Sequence, residues 1–341
     1  MTGTLLPAGD VIVLDPFMDD ADARAMVELC ERFGRYRTYA EHERIEADIS
    51  RGLSQRHDSV RNFLRTGGRA GRGETTAAAL AARTSYFREE YAYGREARIE
   101  GIERFLFHEG LTEAARRVHG RPVIEPAIAY ANLMVPGQEL AVHTDVPEFR
   151  GLNRKLVPQW LLVVMHHSGL FDEWRLPIAT GIAWFSENGG GALAYWPDGP
   201  ATPARVHDTR PNTAMVLDTD SVFHGVDPVT QADDVPLPLV HPGATLDVAG
   251  AGVWAVHTAD GEELARYRWD DLRFSVSWKA YCFRDEGERD AWRDHADDLT
   301  YDDVVDRLVA DLCARRGIEP PERNRDLGLA LMDEYIRFPA G

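Results

Sequence analysis

The sequence predicts a mainly β protein in which helices flank a jelly roll made of two sheets. Two observations support this fold class. From Val123 onward, short apolar runs alternate with Gly and Pro, which is typical of an all-β core, and eight such runs are present, the number that a double-sheet jelly roll needs. The residues on either side instead carry apolar side chains at helical spacing.

Residues 1–122 are expected to form a helical and irregular region that supports the β core. The elements predicted there are a strand at 11–14, a helix from Asp19 or Asp20 to Gly34, an irregular segment ending in a mobile Gly/Arg-rich loop at 66–73, a helix that starts at Thr75 or Thr76 and carries Phe87 and Tyr91, and a helix after Gly94.

Residues 123–283 are expected to form the β core. The candidate strands lie near 127–135, 139–143, 159–166, 178–186, 191–196, 213–218, 223–229 and 273–282. Residues of about 230–270 are predicted to be an insertion that contains a hairpin with Asp260-Gly261 at its turn, placed at one rim of the barrel. Residues 284–341 are predicted to be a C-terminal helical segment, with Thr300 capping one helix.

Composition restricts the class of partner. The 341 residues include 38 basic and 56 acidic ones, a net charge of −18, which argues against nucleic acid or an anionic membrane surface as the main partner. Three cysteines without ligand-like spacing do not indicate disulfides or a zinc cluster, and no long uncharged apolar run is present. We therefore expect a cytoplasmic protein with a small-molecule substrate; the sequence predicts no oligomeric state.

The pair His143-x-Asp145 ends an apolar segment near the middle of the chain. Side chains at i and i+2 of a strand share a face, so an imidazole and a carboxylate at this spacing can bind one ion. His224 opens a later apolar strand and is the best third ligand. Two histidines and one carboxylate form the facial triad of non-heme Fe(II) oxygenases. Four other histidines, at 166, 167, 241 and 257, are poorer candidates.

Arg273 and Ser275 share one face of the last predicted strand. A guanidinium fork and a hydroxyl donor at this spacing are suited to anchoring a carboxylate. Tyr130 and Asn132 share a face of the first core strand, and two interpretations stay open for them: hydrogen bonding to a co-substrate, or filling of the barrel interior.

In this order, His143-x-Asp145, His224 and Arg273-x-Ser275 resemble the metal triad and co-substrate anchor of the 2-oxoglutarate and Fe(II)-dependent dioxygenase superfamily. The resemblance covers roughly residues 125–283. It implies a double-stranded β-helix, cupin-like core with Fe(II) on the triad. It also implies that 2-oxoglutarate chelates the metal and extends its far carboxylate to Arg273 and Ser275. The interval from His224 to Arg273 is longer than in many members of the superfamily. The assignment of Arg273 as the co-substrate anchor therefore requires residues 230–270 to be an insertion.

The activity implied by the resemblance uses O2 and 2-oxoglutarate to oxidise an unactivated C–H bond, most simply by hydroxylation, with release of succinate and CO2. The substrate would be a natural-product or amino-acid-like molecule, with Arg150, Trp174 and Arg175 as candidate contacts near the metal. Two alternatives are a cupin-type iron oxygenase that needs no 2-oxoglutarate and a non-catalytic jelly-roll binding protein. The intact triad argues against a non-catalytic binding protein. Succinate production that depends on 2-oxoglutarate would distinguish the implied activity from that of a cupin-type iron oxygenase.

Overall fold

The computed structural model describes residues 10–38, 45–69, 71, 76–232 and 237–339. The helices within these residues are α1 (Asp20–Phe33), α2 (His57–Thr66), α3 (Ala77–Thr84), α4 (Glu103–Leu106), α5 (Glu109–His119), α6 (Gln159–Ser168), α7 (Glu286–Arg293), α8 (Tyr301–Arg316) and α9 (Arg325–Tyr335). The strands are β1 (Ile12–Leu14), β2 (Arg35–Thr38), β3 (Phe87–Tyr93), β4 (Glu96–Ala97), β5 (Val123–Met134), β6 (Leu140–His143), β7 (Glu148–Phe149), β8 (Arg175–Leu176), β9 (Ile178–Trp184), β10 (Leu193–Trp196), β11 (Arg205–His207), β12 (Thr213–Leu217), β13 (Phe223–Val226), β14 (Thr245–Gly250), β15 (Val253–His257), β16 (Glu263–Arg268) and β17 (Arg273–Phe283).

A large antiparallel sheet dominates the molecule. Its strand order is β1-β12-β9-β17-β5-β3-β2-β14-β15-β16, and β4 pairs with β3. The long strand β17 lies in the middle of this sheet and is hydrogen-bonded to β5 on one side and β9 on the other. A smaller sheet has the order β11-β10-β13-β6, and β7 pairs with β8.

The two sheets pack against each other through buried apolar side chains. Met134 and Trp184 of the large sheet and Leu193 and Val226 of the small sheet belong to one hydrophobic cluster. Alternate residues of each strand point to this interior, because side chains i and i+2 share a face. Polar residues on the same faces can therefore meet between the sheets.

Helices cover the outer faces. Phe105 and Leu111, from α4 and α5, belong to the cluster behind the large sheet, and Trp278 Nε1 donates to the carbonyl of Leu106 at 2.7 Å. Helices α6, α8 and α9 pack behind the small sheet, where Trp160 and Phe223 share a second cluster. None of the described helices combines the length and apolar character needed to cross a bilayer.

The prediction of a mainly β chain with flanking helices is confirmed. One predicted strand is wrong, since residues 159–166 lie within α6. Almost every side chain of this helix is buried, and an uninterrupted apolar run has no periodicity that distinguishes a buried helix from a buried strand.

The N-terminal region contains more β structure than predicted. Asp19 caps α1, Gly34 ends it in a left-handed conformation, and Thr76 caps α3, as expected. Phe87 and Tyr91, however, belong to β3 and not to a helix, because β3 pairs with β5 and completes the sheet. Of the predicted loop at 66–73, residues 70, 72 and 73 lie outside the described part of the chain.

The predicted hairpin is present as β15 and β16, with Asp260-Gly261 between the strands and Gly261 at a positive φ of 85°. It does not lie at a barrel rim. Strand β14 joins it to β2, so the hairpin extends the far edge of the large sheet. Thr300 caps α8 in the C-terminal segment, as predicted.

Candidate metal centre

Two histidines and one aspartate converge at one end of the small sheet. His143 ends β6 and His224 lies on β13, and the two residues are opposite each other in this strand pair. Asp145 follows β6 by two residues. Its Oδ1 atom is 3.5 Å from His143 Nε2 and 3.8 Å from His224 Nε2. One possible ligand atom from each of the three side chains lies within 4.8 Å of the others.

The backbone orients both imidazole rings. His143 Nδ1 lies 2.7 Å from the carbonyl oxygen of Ala141, and His224 Nδ1 lies 2.9 Å from that of Val222. A carbonyl can only accept, so each Nδ1 carries the proton and donates it. The Nε2 lone pairs are left facing Asp145, which is the tautomer that a metal ligand needs.

Asp145 uses its two oxygens differently. Oδ2 accepts hydrogen bonds from Lys279 Nζ and Thr219 Oγ1, both at 2.7 Å, which leaves Oδ1 toward the histidines. Burial would raise the pKa of this carboxyl, but the Lys279 ammonium holds the pKa well below its usual value. Asp145 is therefore ionised at neutral pH.

The donor set fits iron. Burial, followed by the neighbouring His143 ring, lowers the pKa of His224 to about 4, so that this imidazole is neutral at pH 7. Two imidazole nitrogens and one carboxylate oxygen are the donors of the non-heme Fe(II) facial triad. Among the residues that the structure describes, His143, Asp145 and His224 are the only such group.

Arg273 lies in the same space and is only 3% exposed. Its Nε donates to the carbonyl of Gly191 at 2.8 Å, and its Nη1 donates to Ser275 Oγ at 3.1 Å. Burial lowers the pKa of Arg273 to about 10. Gly191 has a positive φ of 68°, and a Cβ there would lie 2.6 Å from Arg273 Cδ. The absence of a side chain at 191 thus lets the arginine lie against the backbone.

Tyr130 and Asn132 face this space from β5. The guanidinium carbon of Arg88 lies 3.5 Å from the centroid of the Tyr130 ring. Asn132 Nδ2 donates to Ser277 Oγ at 3.1 Å, while its buried Oδ1 has no hydrogen-bond partner. An unsatisfied buried amide oxygen favours the interpretation that Asn132 contacts a ligand over the interpretation that it only fills the barrel.

One cavity of about 130 Å³ lies between the two sheets and is here called the metal cavity; it is lined by the triad, Lys279, Arg273, Ser275, Tyr130 and Asn132. The predicted triad, Arg273, Ser275, Tyr130 and Asn132 are thus brought together. Their roles as ligands and anchors stay predictions.

Sequence reasoning does not single out Lys279, Thr219 or Gly191. Lys279 could have been found, because it shares a face of β17 with Arg273 and Ser275. Thr219 and Gly191 lie on loops that only the tertiary fold brings into contact with Asp145 and Arg273.

Three predicted substrate contacts lie elsewhere, since none of them lines the metal cavity. Arg150 binds both oxygens of Asp297, at 2.7 and 2.8 Å. The Arg307 guanidinium carbon lies 4.8 Å from the centroid of the Trp174 ring. Arg175 Nη2 donates to both oxygens of Asp218 at 2.8 Å. The short sequence distance between Arg150 and Asp145 misleads, because the Arg150 side chain is directed toward Asp297, although Arg154 further along the chain does line the metal cavity.

Three of these poorer histidine candidates also lie outside the metal cavity. His166 and His167 lie on α6 and not on a strand; His166 Nε2 is 3.0 Å from Ser221 Oγ, and the His167 ring packs on Phe223. His257 Nδ1 is 2.9 Å from Asp247 Oδ2 in the insertion.

Comparison with known proteins gives structural similarity alone. No family model matches the sequence, and no curated protein matches it. An oxidoreductase of the 2OG-Fe(II) oxygenase family from Burkholderia pseudomallei is 10% identical, with a TM-score of 0.40 over 80% of this chain and 84% of that chain. A prolyl-4-hydroxylase from Pseudomonas putida is 11% identical, with a TM-score of 0.38 over 81% of this chain and 94% of that chain.

HygX from Streptomyces hygroscopicus, solved with nickel, 2-oxoglutarate and hygromycin B bound, is 10% identical, with a TM-score of 0.39 over 80% of this chain and 83% of that chain. The chain is thus similar to solved 2-oxoglutarate and Fe(II)-dependent oxygenases, at identities and TM-scores that leave its function to be argued from its own residues.

Proposed function

We propose that this chain is an oxygenase dependent on Fe(II) and 2-oxoglutarate, with a double-stranded β-helix core. The strand order supports such a core, because the neighbouring strands β12, β9, β17 and β5 lie in the large sheet, and side chains of β12, β9 and β5 pack against those of β10, β13 and β6 in the small sheet. The observation that carries the proposal is that a metal triad and a buried arginine line the same cavity.

Arg273 supports 2-oxoglutarate as the co-substrate. A buried cation is costly unless it is paired. The hydrogen-bond partners of Arg273 on the cavity wall, Gly191 and Ser275, are uncharged, and no carboxylate among the described residues forms an ion pair with it. The far carboxylate of a dicarboxylic acid would supply the missing charge through charge-assisted hydrogen bonds.

Iron held by His143, Asp145 and His224 would supply oxygen activation, in which 2-oxoglutarate is oxidised to succinate and CO2 while one oxygen atom is inserted into a substrate C–H bond. The chain's own part is orientation and exclusion of water. Arg273 and Ser275 bind and orient the far carboxylate of the co-substrate, and Lys279 fixes the direction of Asp145 Oδ1 through its contact with Oδ2.

The test is anaerobic addition of Fe(II) and 2-oxoglutarate to the full chain, followed by O2 and measurement of succinate. We expect the visible absorption of a 2-oxoacid chelated to Fe(II), and succinate formation that requires both additions. His224→Ala should lose the absorption. His241→Ala, an exposed histidine outside the metal cavity, is the matched control.

Oxidation that depends on iron but not on 2-oxoglutarate would overturn the proposal in favour of a cupin-type oxygenase. Absence of metal binding by the unmodified chain would favour a non-catalytic binding protein. Arg273 argues against both of these functions, because neither accounts for a buried cation beside the triad.

A further inference from the structure

A second and larger space adjoins the metal cavity and is here called the cleft. Its volume is about 690 Å³, compared with about 130 Å³ for the metal cavity. Arg88 and Arg154 line both spaces, so the two are adjacent. Sites for drug-sized ligands have volumes of about 300–1,000 Å³. The cleft, and not the metal cavity, therefore has the size to hold a substrate beside a co-substrate.

Strands of the large sheet lead from one space into the other. Along one face of β17, Arg273 and Lys279 line the metal cavity and Tyr281 lines the cleft. Along one face of β5, Tyr130 lines the metal cavity and Ile128 lines the cleft. A molecule in the cleft would thus approach the metal triad from the side opposite to Arg273.

The charge balance of the cleft wall is opposite to that of the whole protein. The whole chain has 38 basic and 56 acidic residues, whereas the described wall of the cleft has more basic residues than acidic ones. The basic residues are Arg88, Arg98, Arg154, Lys155 and Arg293; the acidic residues are Glu90, Glu148 and Asp298. A local excess of positive charge on an acidic protein attracts anions to this place in particular.

The acidic side chains of the cleft wall are already engaged by their neighbours. Their partners are Arg98 for Glu90, the Tyr281 hydroxyl at 2.8 Å for Glu148, and His295 Nδ1 at 2.8 Å for Asp298. Two of the basic side chains are engaged as well, Arg98 by Glu90 and Arg293 by both oxygens of Glu125 at 2.8 Å, and the charge balance of the wall stays positive when Glu125 is included.

Aromatic rings form the apolar part of the wall. The Tyr281 and Trp292 rings pack with centroids 4.8 Å apart, and Lys155 Nζ lies 4.7 Å from the centroid of Tyr93. Rings of this kind bury flat apolar surface, while an ammonium or guanidinium binds a carboxylate or phosphate. Aromatic rings and cationic side chains thus lie side by side in the cleft.

We propose that the cleft is the substrate site and that the substrate is a small anion, in which a carboxylate or phosphate is joined to an aromatic or other flat apolar body. Its role in oxidation rests on the proposed function, but the preference for an anion follows from the cleft alone. The same positive charges disfavour a polycationic substrate.

The test is isothermal titration calorimetry of the full chain loaded with Mn(II) and saturated with N-oxalylglycine, which occupies the Arg273 anchor. The probes are phenylacetate, phenyl phosphate, neutral phenylacetamide and cationic phenethylamine. We expect one of the anions to bind about tenfold more tightly than the amide, the size of one charge-assisted hydrogen bond, and the amine to bind most weakly. Whether phenylacetate or phenyl phosphate binds more tightly identifies the anionic group.

Arg154→Gln and Lys155→Gln should remove the preference for anions. Arg205→Gln, an exposed arginine paired with Asp198 outside the cleft, should keep it. Equal binding of the anions and the amide, or an anion preference unchanged in both cleft variants, would overturn the inference. Failure of Mn(II) or N-oxalylglycine to bind would instead count against the proposed function, and the same probes titrated into the metal-free chain would still test the cleft.

Discussion

Lys279 places its ammonium nitrogen 2.7 Å from Oδ2 of Asp145, and the same nitrogen lies 3.0 Å from Thr180 Oγ1. The lysine side chain is 7% exposed and the aspartate side chain 19%. Because Oδ1 faces the two histidines, a divalent metal and Lys279 would each neutralise part of one carboxylate. Lys279 is thus the main counter-charge of Asp145 when no metal is bound.

Lys279→Met should destabilise the metal-free protein and increase its response to metal. Removing one partner of a buried ion pair strands the other, so the free energy of unfolding should fall by about 3 kcal/mol. Bound Mn(II) would then compensate the stranded charge, and its addition should raise the Tm more than in the unmodified chain. Thermal denaturation with EDTA or with Mn(II) measures both effects.

Lys155→Met is the control for that experiment, because Lys155 is the chain's other lysine and is exposed. An equal gain in Tm from Mn(II) in the unmodified chain and in Lys279→Met would show that Lys279 does not share Asp145 with the metal.

Arg273→Gln should weaken 2-oxoglutarate binding and leave Fe(II) binding unchanged. The far carboxylate of the co-substrate would be buried without its charged partner, at a cost of about 2–5 kcal/mol, which is a loss of roughly 30-fold or more in affinity. Anaerobic titrations of Fe(II) and of 2-oxoglutarate, followed by visible absorption, measure the two affinities separately. Equal losses in both would mean that Arg273 has a structural role.

The buried charge of Arg273 should lower the free energy of unfolding when no co-substrate is present. Burial lowers the pKa of Arg273 from 12.5 to about 10, so below pH 10 the folded state holds a charged group that the unfolded state solvates better. The two hydrogen bonds of the charged guanidinium offset part of this cost. Arg273→Met should therefore stabilise the ligand-free protein in urea denaturation.

Arg150→Met is the matched comparison for stability, since Arg150 is also buried but is paired with Asp297. It should destabilise the protein. Destabilisation by both substitutions would show that the hydrogen bonds of Arg273 outweigh the cost of burying its charge.

Gly191→Ala should displace the Arg273 side chain without disturbing the metal ligands. The added methyl group would lie 2.6 Å from Arg273 Cδ, so the guanidinium must shift, and 2-oxoglutarate affinity should fall while metal affinity stays constant. Gly199→Ala controls for backbone strain, because Gly199 also has a positive φ, of 94°, but nothing lies within 4 Å of its added Cβ. Similar effects of the two substitutions on 2-oxoglutarate binding would argue against a specific contact at 191.

Two neighbouring aspartates should give opposite pH dependences of stability. Burial raises the pKa of Asp220 to about 7, and both of its oxygens lack hydrogen bonds. Between pH 4 and 7 the unfolded state loses this proton more readily, so Asp220 destabilises the fold increasingly as pH rises. Asp220→Asn should therefore stabilise the protein more at pH 8 than at pH 4, in urea denaturation at each pH.

Asp218 is the opposite case. Burial would raise its pKa, but Arg175 lowers it below its usual value. Its contribution to stability is present above pH 4 and is lost as pH falls further. Asp218→Asn should thus destabilise the protein at pH 8 and have less effect below pH 4. The same sign for both substitutions at pH 8 would contradict this assignment.

The elements that the sequence predicts best are those with a local cause. Asp19 and Gly34 cap α1 through their own side chain and backbone, and Asp260-Gly261 turns the hairpin, so a few residues suffice in each case. The spacing of two residues predicts that His143 and Asp145 lie together, although β6 ends at His143 and Asp145 follows it. His224 is predicted by its place at the start of an apolar strand, and its pairing with His143 comes from strand register.

The parts that could not be predicted depend on distant residues. Helix α6 is buried on all sides, which removes the periodicity that identifies a helix. Phe87 and Tyr91 lie four residues apart, a spacing that suits a helix, and only pairing with β5 makes the segment a strand. Lys279 belongs to the site only through its contact with Asp145, which lies 134 residues away in the sequence.

The hairpin of β15 and β16 lies between His224 and Arg273 in the sequence but not in space. After β13 the chain leaves the small sheet, adds three strands to the far edge of the large sheet, and returns to its middle as β17. The position of β17 is set by hydrogen bonds to β5 and β9, none of which involves the hairpin. The hairpin strands still share the buried core with β17, because the Trp254 ring lies 6.0 Å from that of Trp269, which in turn lies 5.5 Å from that of Phe274. The exposed turn at Asp260-Gly261 is therefore the part that evolution or an engineer could lengthen or fuse to another domain without moving the arginine that the co-substrate would need.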